Sequence, residues 1–227
     1  MLACAAVVHA DTGAARYETR VAHDPNGIGK FYMGREIAQV MGPGGIPWLE
    51  REEREREERP QQTIEALEIR PGQTIADLGA GSGYYTFRIA PLVGPDGKVL
   101  AIDVEPTMLR VVAERARRER VANVETVRSS PSDPNLPADS VDLLFMVDVY
   151  HELEYPYEML RRVHAALRPD GRVALIEYRA EDPKVMIKAV HKMSQRQIIK
   201  ELEAAGFRHV KTVRTLPLQH LVIFEKR

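Results

Sequence analysis

The sequence predicts an α/β domain built on a doubly wound, mostly parallel sheet of seven strands. The last strand runs antiparallel, and an N-terminal cap precedes the sheet. Three observations predict this. From residue 62 onward, short continuous apolar runs alternate with segments of helical periodicity. Runs without polar alternation are strands covered on both faces, as in parallel sheets with helices on each side. The chain then closes with two strand-like runs and no helix between them, which puts one antiparallel strand at the end.

The elements follow in order. Residues 1–10 are apolar and end in Val8-His9-Ala10. This pattern suits the tail of a secretory leader, or a helical or disordered N-terminus, so a cytoplasmic and a periplasmic protein both fit. No run approaches the roughly 20 apolar residues that span a bilayer, so no stable membrane insertion is expected. Residues 11–60 form the expected cap. They interleave Gly-Pro turns with Tyr17, Phe31, Tyr32 and Arg35, and end in a segment of almost pure Glu and Arg. Glu50/Arg54, Arg51/Glu55 and Glu55/Arg59 lie four apart, a spacing that supports a helix. Pro47 suits its first turn and Pro60 its stop. The expectation is a solvated charged helix; the alternative turns Arg51 or Arg54 inward.

Residues 61–227 form the main domain. A helix through Ile64, Leu67 and Ile69 leads to the Pro71-Gly72 turn. Strands are expected at 74–78, 99–103, 124–127, 141–147, 173–178, 210–213 and 221–224. Helices are expected at 85–92, 107–119, 157–167 and 195–205. The turns Gly94-Pro95-Asp96-Gly97 and Arg168-Pro169-Asp170-Gly171 stop two of them.

The bulk numbers bound the function. A chain of 227 residues with 44% apolar content fits one large domain with an extension. Lys+Arg and Asp+Glu nearly cancel, at 32 and 33. There is no global field to draw in nucleic acid or an anionic membrane. Cys4 is the only cysteine, which excludes an intrachain disulfide and a cysteine-based metal site.

The first strand of the main domain runs into Gly79-Ala80-Gly81-Ser82-Gly83, and a helix follows. Such a loop lets backbone approach a ligand closely and turns helix N–H groups toward it. A dinucleotide fingerprint would place Gly at 84, where this chain has Tyr84, which disfavours NAD or FAD. Asp103 closes the second strand, where a carboxylate can accept both hydroxyl protons of a ribose. Val104 and Met108 are apolar neighbours for an adenine face.

Ile75 to Gly83 resembles the first motif of the class I S-adenosylmethionine (SAM)-dependent methyltransferases. Val99 to Leu109 (VLAIDVEPTML) resembles their second. Pro137-Ala138-Asp139-Ser140-Val141-Asp142 is similar to the approach to their fourth strand, and Leu167 to Arg172 to the turn before their fifth. The resemblance covers residues 62–225. It implies the Rossmann-like fold of that family, SAM as cofactor, and SAM-dependent methylation of a small molecule. SAM would lie against Asp77, Gly79, Ala80, Gly81 and Gly83. Asp77 would sit near its ammonium group, Asp103 on the ribose and Asp133 near the adenine amine. The stretches VDVYHEL, IEYRAEDP and IKAVHKMS narrow the resemblance to an uncharacterised bacterial group, some of whose members carry leaders.

Ligands in such sheets bind beyond the carboxyl ends of the strands. The fourth strand ends in Asp148, Tyr150 and His151, and the fifth in Glu177, Tyr178 and Arg179. Methyl transfer mainly requires alignment of a nucleophile with the methyl. Where the acceptor must lose a proton, His151 is the candidate base, because an imidazole titrates in the useful range. Asp148 orients the acceptor or holds the cofactor, and Tyr150 packs over or hydrogen-bonds the methyl region. Glu177 and Arg179 pair with each other or with the cap; His191 and Lys192 are further candidates. A cation held by Asp148, His151 and Glu177 is not expected, since no Asp-Asn pair follows the fifth strand. A non-catalytic SAM-binding regulator is the alternative function; the polar cluster at 148–152 argues against it.

Overall fold

The computed structural model describes residues 16–227; the expected leader at 1–10 lies outside them. The chain opens with three short strands, β1 (Tyr17–Thr19), β2 (Gly27–Tyr32) and β3 (Arg35–Ala38), paired antiparallel in that order. Tyr32 pairs with Arg35, so Met33 and Gly34 form a two-residue turn, and both have positive φ, 50° and 94°. That is the turn whose twist matches a hairpin. Three short helices follow: α1 (Ile46–Leu49), α2 (Glu53–Glu57) and α3 (Pro60–Ala66).

The main sheet begins with β4 (Thr74–Leu78), which α4 (Thr86–Val93) follows. Then come β5 (Lys98–Asp103), α5 (Pro106–Glu119), β6 (Val124–Arg128), β7 (Val141–Val147) and α6 (Pro156–Ala166). The chain ends with β8 (Leu167–Tyr178), α7 (Gln195–Ala204), β9 (Phe207–Val213) and β10 (Gln219–Lys226). The order across the sheet is β6-β5-β4-β7-β8-β10-β9, with β10 antiparallel to both neighbours. This is the predicted seven-stranded, mostly parallel sheet with an antiparallel last strand. Successive residues of one strand point to opposite faces. Accordingly Leu144 and Met146 enter one buried cluster, and Leu143 and Phe145 the other. Among the described residues, no helix is long and apolar enough to cross a membrane.

Two local readings differ from expectation. The charged segment is not one solvated helix. It breaks at Glu50–Glu52, and Arg59 adopts a left-handed φ of 51° before Pro60 opens α3 instead of stopping a helix. The break lets Arg54 turn inward, where it is 4% exposed, because Glu58 is buried beneath it. The second difference is the turn Arg168–Gly171, which is drawn into β8. Val141 pairs with Leu167 and Leu143 with Arg172, so a bulge on β8 absorbs those residues without losing the partner strand.

Register sets the position of the site. Leu78 is paired with Ile102, and Val147 with Ile176. Gly79, Asp103, Asp148 and Glu177 therefore reach the same carboxyl edge of the sheet. The N-terminal strands pack on that edge. Arg35 makes two 2.9 Å bonds to Glu201 on α7, Tyr17 hydrogen-bonds Glu158 on α6, and Lys30 lies 3.3 Å from the Tyr155 ring centroid.

Candidate active site

A cavity of about 630 Å³ opens at the carboxyl edge. That volume falls within the range of small-molecule and cofactor sites. The walls come from both the sheet and the N-terminal segment. Gly79, Gly81, Asp103, Val104 and Met108 supply one group of lining residues; Asp148, His151, Glu152 and His191 supply another. Trp48, Leu49, Arg51 and Arg54 contribute from α1, α2 and the turn between them.

The glycine loop is shaped by close approach. Gly79 has φ of 78°, and a Cβ there would lie 2.4 Å from Val149 Cγ2. Only glycine fits both the conformation and the space. Gly81 donates its N–H to Asp103 Oδ2 at 2.9 Å, and Glu105 donates to Oδ1 at 2.9 Å. Asp103 is thus aimed by backbone, and each carboxylate oxygen keeps a further lone pair. Burial raises its pKa against these two bonds.

Asp77 does not line the cavity. It is buried behind the loop, where Thr86 donates to it at 2.6 Å. Burial, with the Asp103 charge nearby, pushes its pKa up to about 7. Ala80 and Gly83 also stay behind the lining, Gly83 against Phe87 and Val112. Asp133 is likewise not brought to the cavity. Its carboxylate turns to Arg162 at 3.3 Å and caps Asn135 N–H, and Ser129, Ser130 and Pro131 form that wall instead.

A buried carboxylate gathers two arginines and a tyrosine, and a second lies close by. Glu58 accepts from Arg54 Nε at 2.7 Å, Arg51 Nη2 at 2.8 Å and the Tyr178 hydroxyl at 2.9 Å. Asp148 has a left-handed φ of 53°, costly for a non-glycine residue, which aims its carboxyl into the interior. Gln219 donates to its Oδ2 at 2.7 Å, while Oδ1 is buried without a partner among the described residues. Burial raises its pKa well above the usual carboxylate range, and the charges of Glu58 and Glu177 add to that.

His151 sits on a single helical turn, Tyr150–Glu152, just beyond β7. Its Nδ1 lies 2.6 Å from Glu177 Oε2, while Glu177 Oε1 accepts the Tyr150 N–H at 2.8 Å. Both oxygens of this fully buried carboxylate are therefore spent on holding the turn and the ring. Burial lowers the His151 pKa, but the Glu177 charge and hydrogen bond outweigh it, and the net shift is upward. Its Nε2 meets His191 Nδ1 at 3.1 Å.

Tyr150 is corrected by the structure. Its ring is fully buried and its hydroxyl donates to Glu201 at 2.8 Å, away from the cavity. Alternation along the turn sends His151 to the cavity and Tyr150 to the core. Glu177 pairs with His151 rather than with Arg179, whose guanidinium caps the carbonyls of Arg214, Leu216 and Pro217. Lys192 donates to Val185 O and does not line the cavity. Sequence reasoning passed over Gln219 and Glu58. Gln219 lies at the start of the antiparallel strand, and only the topology brings it to Asp148.

A family model described as a methyltransferase domain matches residues 76–173. The chain is 30% identical over 117 residues to the ubiquinone/menaquinone biosynthesis C-methyltransferase UbiE of Ectopseudomonas mendocina (strain ymp). That alignment covers 51% of this chain and 46% of the relative. The UbiE of Escherichia coli O1:K1 / APEC is 31% identical over 117 residues, covering 51% and 47%. The chain thus spans about half the length of the curated relatives it matches. The crystal structure of a SAM-dependent methyltransferase from Aquifex aeolicus superposes with a TM-score of 0.77 at 27% identity, covering 82% of this chain and 98% of that one. Residues 76–173 thus match a methyltransferase domain, and the fold is that of the class I SAM-dependent methyltransferases.

SAM is the cofactor of such enzymes, and the residues lining this cavity fit it. Asp103 offers two backbone-aimed oxygens for vicinal hydroxyls. Val104 and Met108 offer an apolar face, and the unpartnered Asp148 Oδ1 is a buried acceptor, or donor when protonated.

Proposed function

We propose that the protein transfers the methyl group of SAM to a small molecule with an apolar body and one ionisable polar end. The single observation that carries this reading is continuity. One cavity joins the Gly79–Gly81 loop and Asp103 to the buried His151–Glu177 pair. A binding protein has no use for an imidazole on the cavity wall whose Nδ1 is tied by a buried carboxylate.

Bound SAM supplies an activated methyl. The protein's part is to bind, orient and keep water out. Gly79, Gly81 and Asp103 hold the cofactor, with Asp148 beside them. The acceptor shares the space lined by Val40, Met41, Leu153 and Met186, which suits an apolar body. His151 Nε2 takes the proton of an acceptor hydroxyl, thiol or acidic carbon, and Glu177 stabilises the imidazolium that results. The UbiE relatives are named for C-methylation in quinone biosynthesis, and an aromatic ring with an ionisable hydroxyl fits the same cavity.

The test is transfer of labelled methyl from SAM to a panel of aromatic and aliphatic hydroxyl compounds. Substitution His151→Ala should lower turnover by roughly 10²–10⁴-fold, the usual worth of a positioned base, and leave S-adenosylhomocysteine (SAH) affinity unchanged. A His151→Ala protein with full turnover would remove the base role.

A further inference from the structure

We propose that His151, Glu152 and His191 form a binding site for a zinc-class divalent cation, open to the cavity that receives the acceptor. The inference rests on the reading above only in placing the acceptor there.

The geometry is that of three ligands around one centre. His151 Nε2 and His191 Nδ1 are 3.1 Å apart. Glu152 Oε1 lies 3.8 Å from the first and 3.6 Å from the second. Three donors on one face of an ion with bonds of about 2.0–2.1 Å stand roughly 3.0–3.4 Å from one another. The observed triangle is within a few tenths of an ångström of that.

Two of the three ligands are pinned from behind. Glu177 accepts from His151 Nδ1 at 2.6 Å, which fixes the tautomer with a lone pair on Nε2. Metal-bound histidines are oriented by carboxylates in this way. Met41 N–H donates to Glu152 Oε2 at 3.2 Å and leaves Oε1 to face the histidines. The His191 ring stands edge-on to His151, at 81° and 5.1 Å between centroids.

The donor set selects the ion. Two imidazole nitrogens and one carboxylate suit zinc or a neighbouring transition metal; magnesium and calcium prefer oxygen. Three protein ligands leave positions for water or substrate, as in catalytic sites. A hydroxyl or thiol of the acceptor coordinated there is acidified. Its proton leaves to solvent and the electron pair stays on the oxygen or sulfur. With the ion bound, the Nε2 lone pair is occupied, and the ion replaces His151 as the group that activates the acceptor.

The experiment is a titration of metal-stripped, full-length protein with Co²⁺, followed by visible absorption, with Zn²⁺ as competitor. One Co²⁺ per chain is expected, displaced by Zn²⁺ and not by Mg²⁺. His191→Ala, on a half-buried turn, should abolish the bands while the thermal transition persists. Glu177→Gln, isosteric, should weaken binding by roughly 10–100-fold, as loss of an orienting partner does. Folded protein that binds no Co²⁺, or His191→Ala with the wild-type spectrum, would overturn the site. SAH binding is measured in parallel. SAH bound without Co²⁺ refutes the cation and spares the methyltransferase reading; Co²⁺ bound without SAH does the reverse.

Discussion

At the scale of single residues, Asp103 and Asp77 are both buried carboxylates near one loop, yet they differ in what they can do. Asp103 lines the cavity, and its oxygens are aimed by two backbone N–H groups. Replacing it by Ala should weaken SAH binding by roughly 1–3 kcal/mol, as for lost charge-assisted bonds. Isothermal titration checks this; unchanged affinity would exclude Asp103 from the site. Asp77 lies behind the loop, and its carboxyl titrates at about 7 against an ordinary 3.8. Between those values the folded chain holds a proton that the unfolded chain has lost. Stability therefore falls as pH rises from about 4 to about 7, and the penalty is complete above that. Asp77→Asn keeps an acceptor for Thr86 without the charge. It should be more stable than the parent by roughly 1–4 kcal/mol at pH 8 and no more stable at pH 4. Urea melts at the two values read the difference. The sequence exposed Asp103 because it follows an apolar strand and precedes a helix. The partners of Asp77, and the turning of Asp133 to Arg162, depend on side-chain direction, which spacing does not carry.

At the scale of elements, the charged segment shows most clearly where sequence pattern stops. The four-residue spacing of Glu and Arg between 50 and 59 argues equally for any exposed helix. What decides the outcome is tertiary: Glu58 is buried and gathers Arg51, Arg54 and Tyr178. The Arg54 guanidinium also lies 4.1 Å from the Tyr84 ring centroid. The strands at 74–78, 99–103 and 141–147 were legible because each is mostly apolar and bounded by turns. The three short strands at the N-terminus were not, because they mix glycine and charge, and the Met33-Gly34 turn lacks the Asn-Gly signature of its type. The Glu58 network predicts a large asymmetric cost. Removing one member of a buried charged group strands the others and costs about 3–5 kcal/mol. Glu58→Ala should destabilise by that amount in denaturant unfolding, and should make the segment from 46 to 59 the first site of limited proteolysis. Arg56→Ala, exposed on the same helix, should do neither.

At the scale of the whole molecule, the cavity belongs to two parts of the chain at once. The glycine loop and Asp103 come from the sheet edge, while Trp48, Leu49, Arg51 and Arg54 come from the segment before it. Leu49 Cδ1 would lie 2.8 Å from a Cβ at Gly81, so the two parts already touch at the loop. Arg35–Glu201 and Tyr17–Glu158 tie the N-terminal strands to α7 and α6. A ligand filling this cavity contacts both parts, and its binding energy must stabilise both. Saturation at 100 times Kd adds about 2.7 kcal/mol, and each kcal/mol moves Tm by roughly 2–4 °C in a chain of this size. SAH at that concentration should therefore raise Tm by about 5–10 °C. The rise should appear in one transition, with cleavage between 46 and 59 suppressed in parallel. Two transitions, of which only the later moved with SAH, would mean that the N-terminal segment is a separate unit and not a wall of the site. A single shifted transition requires the opposite: that the cofactor loop and the segment above it fold, and bind, as one.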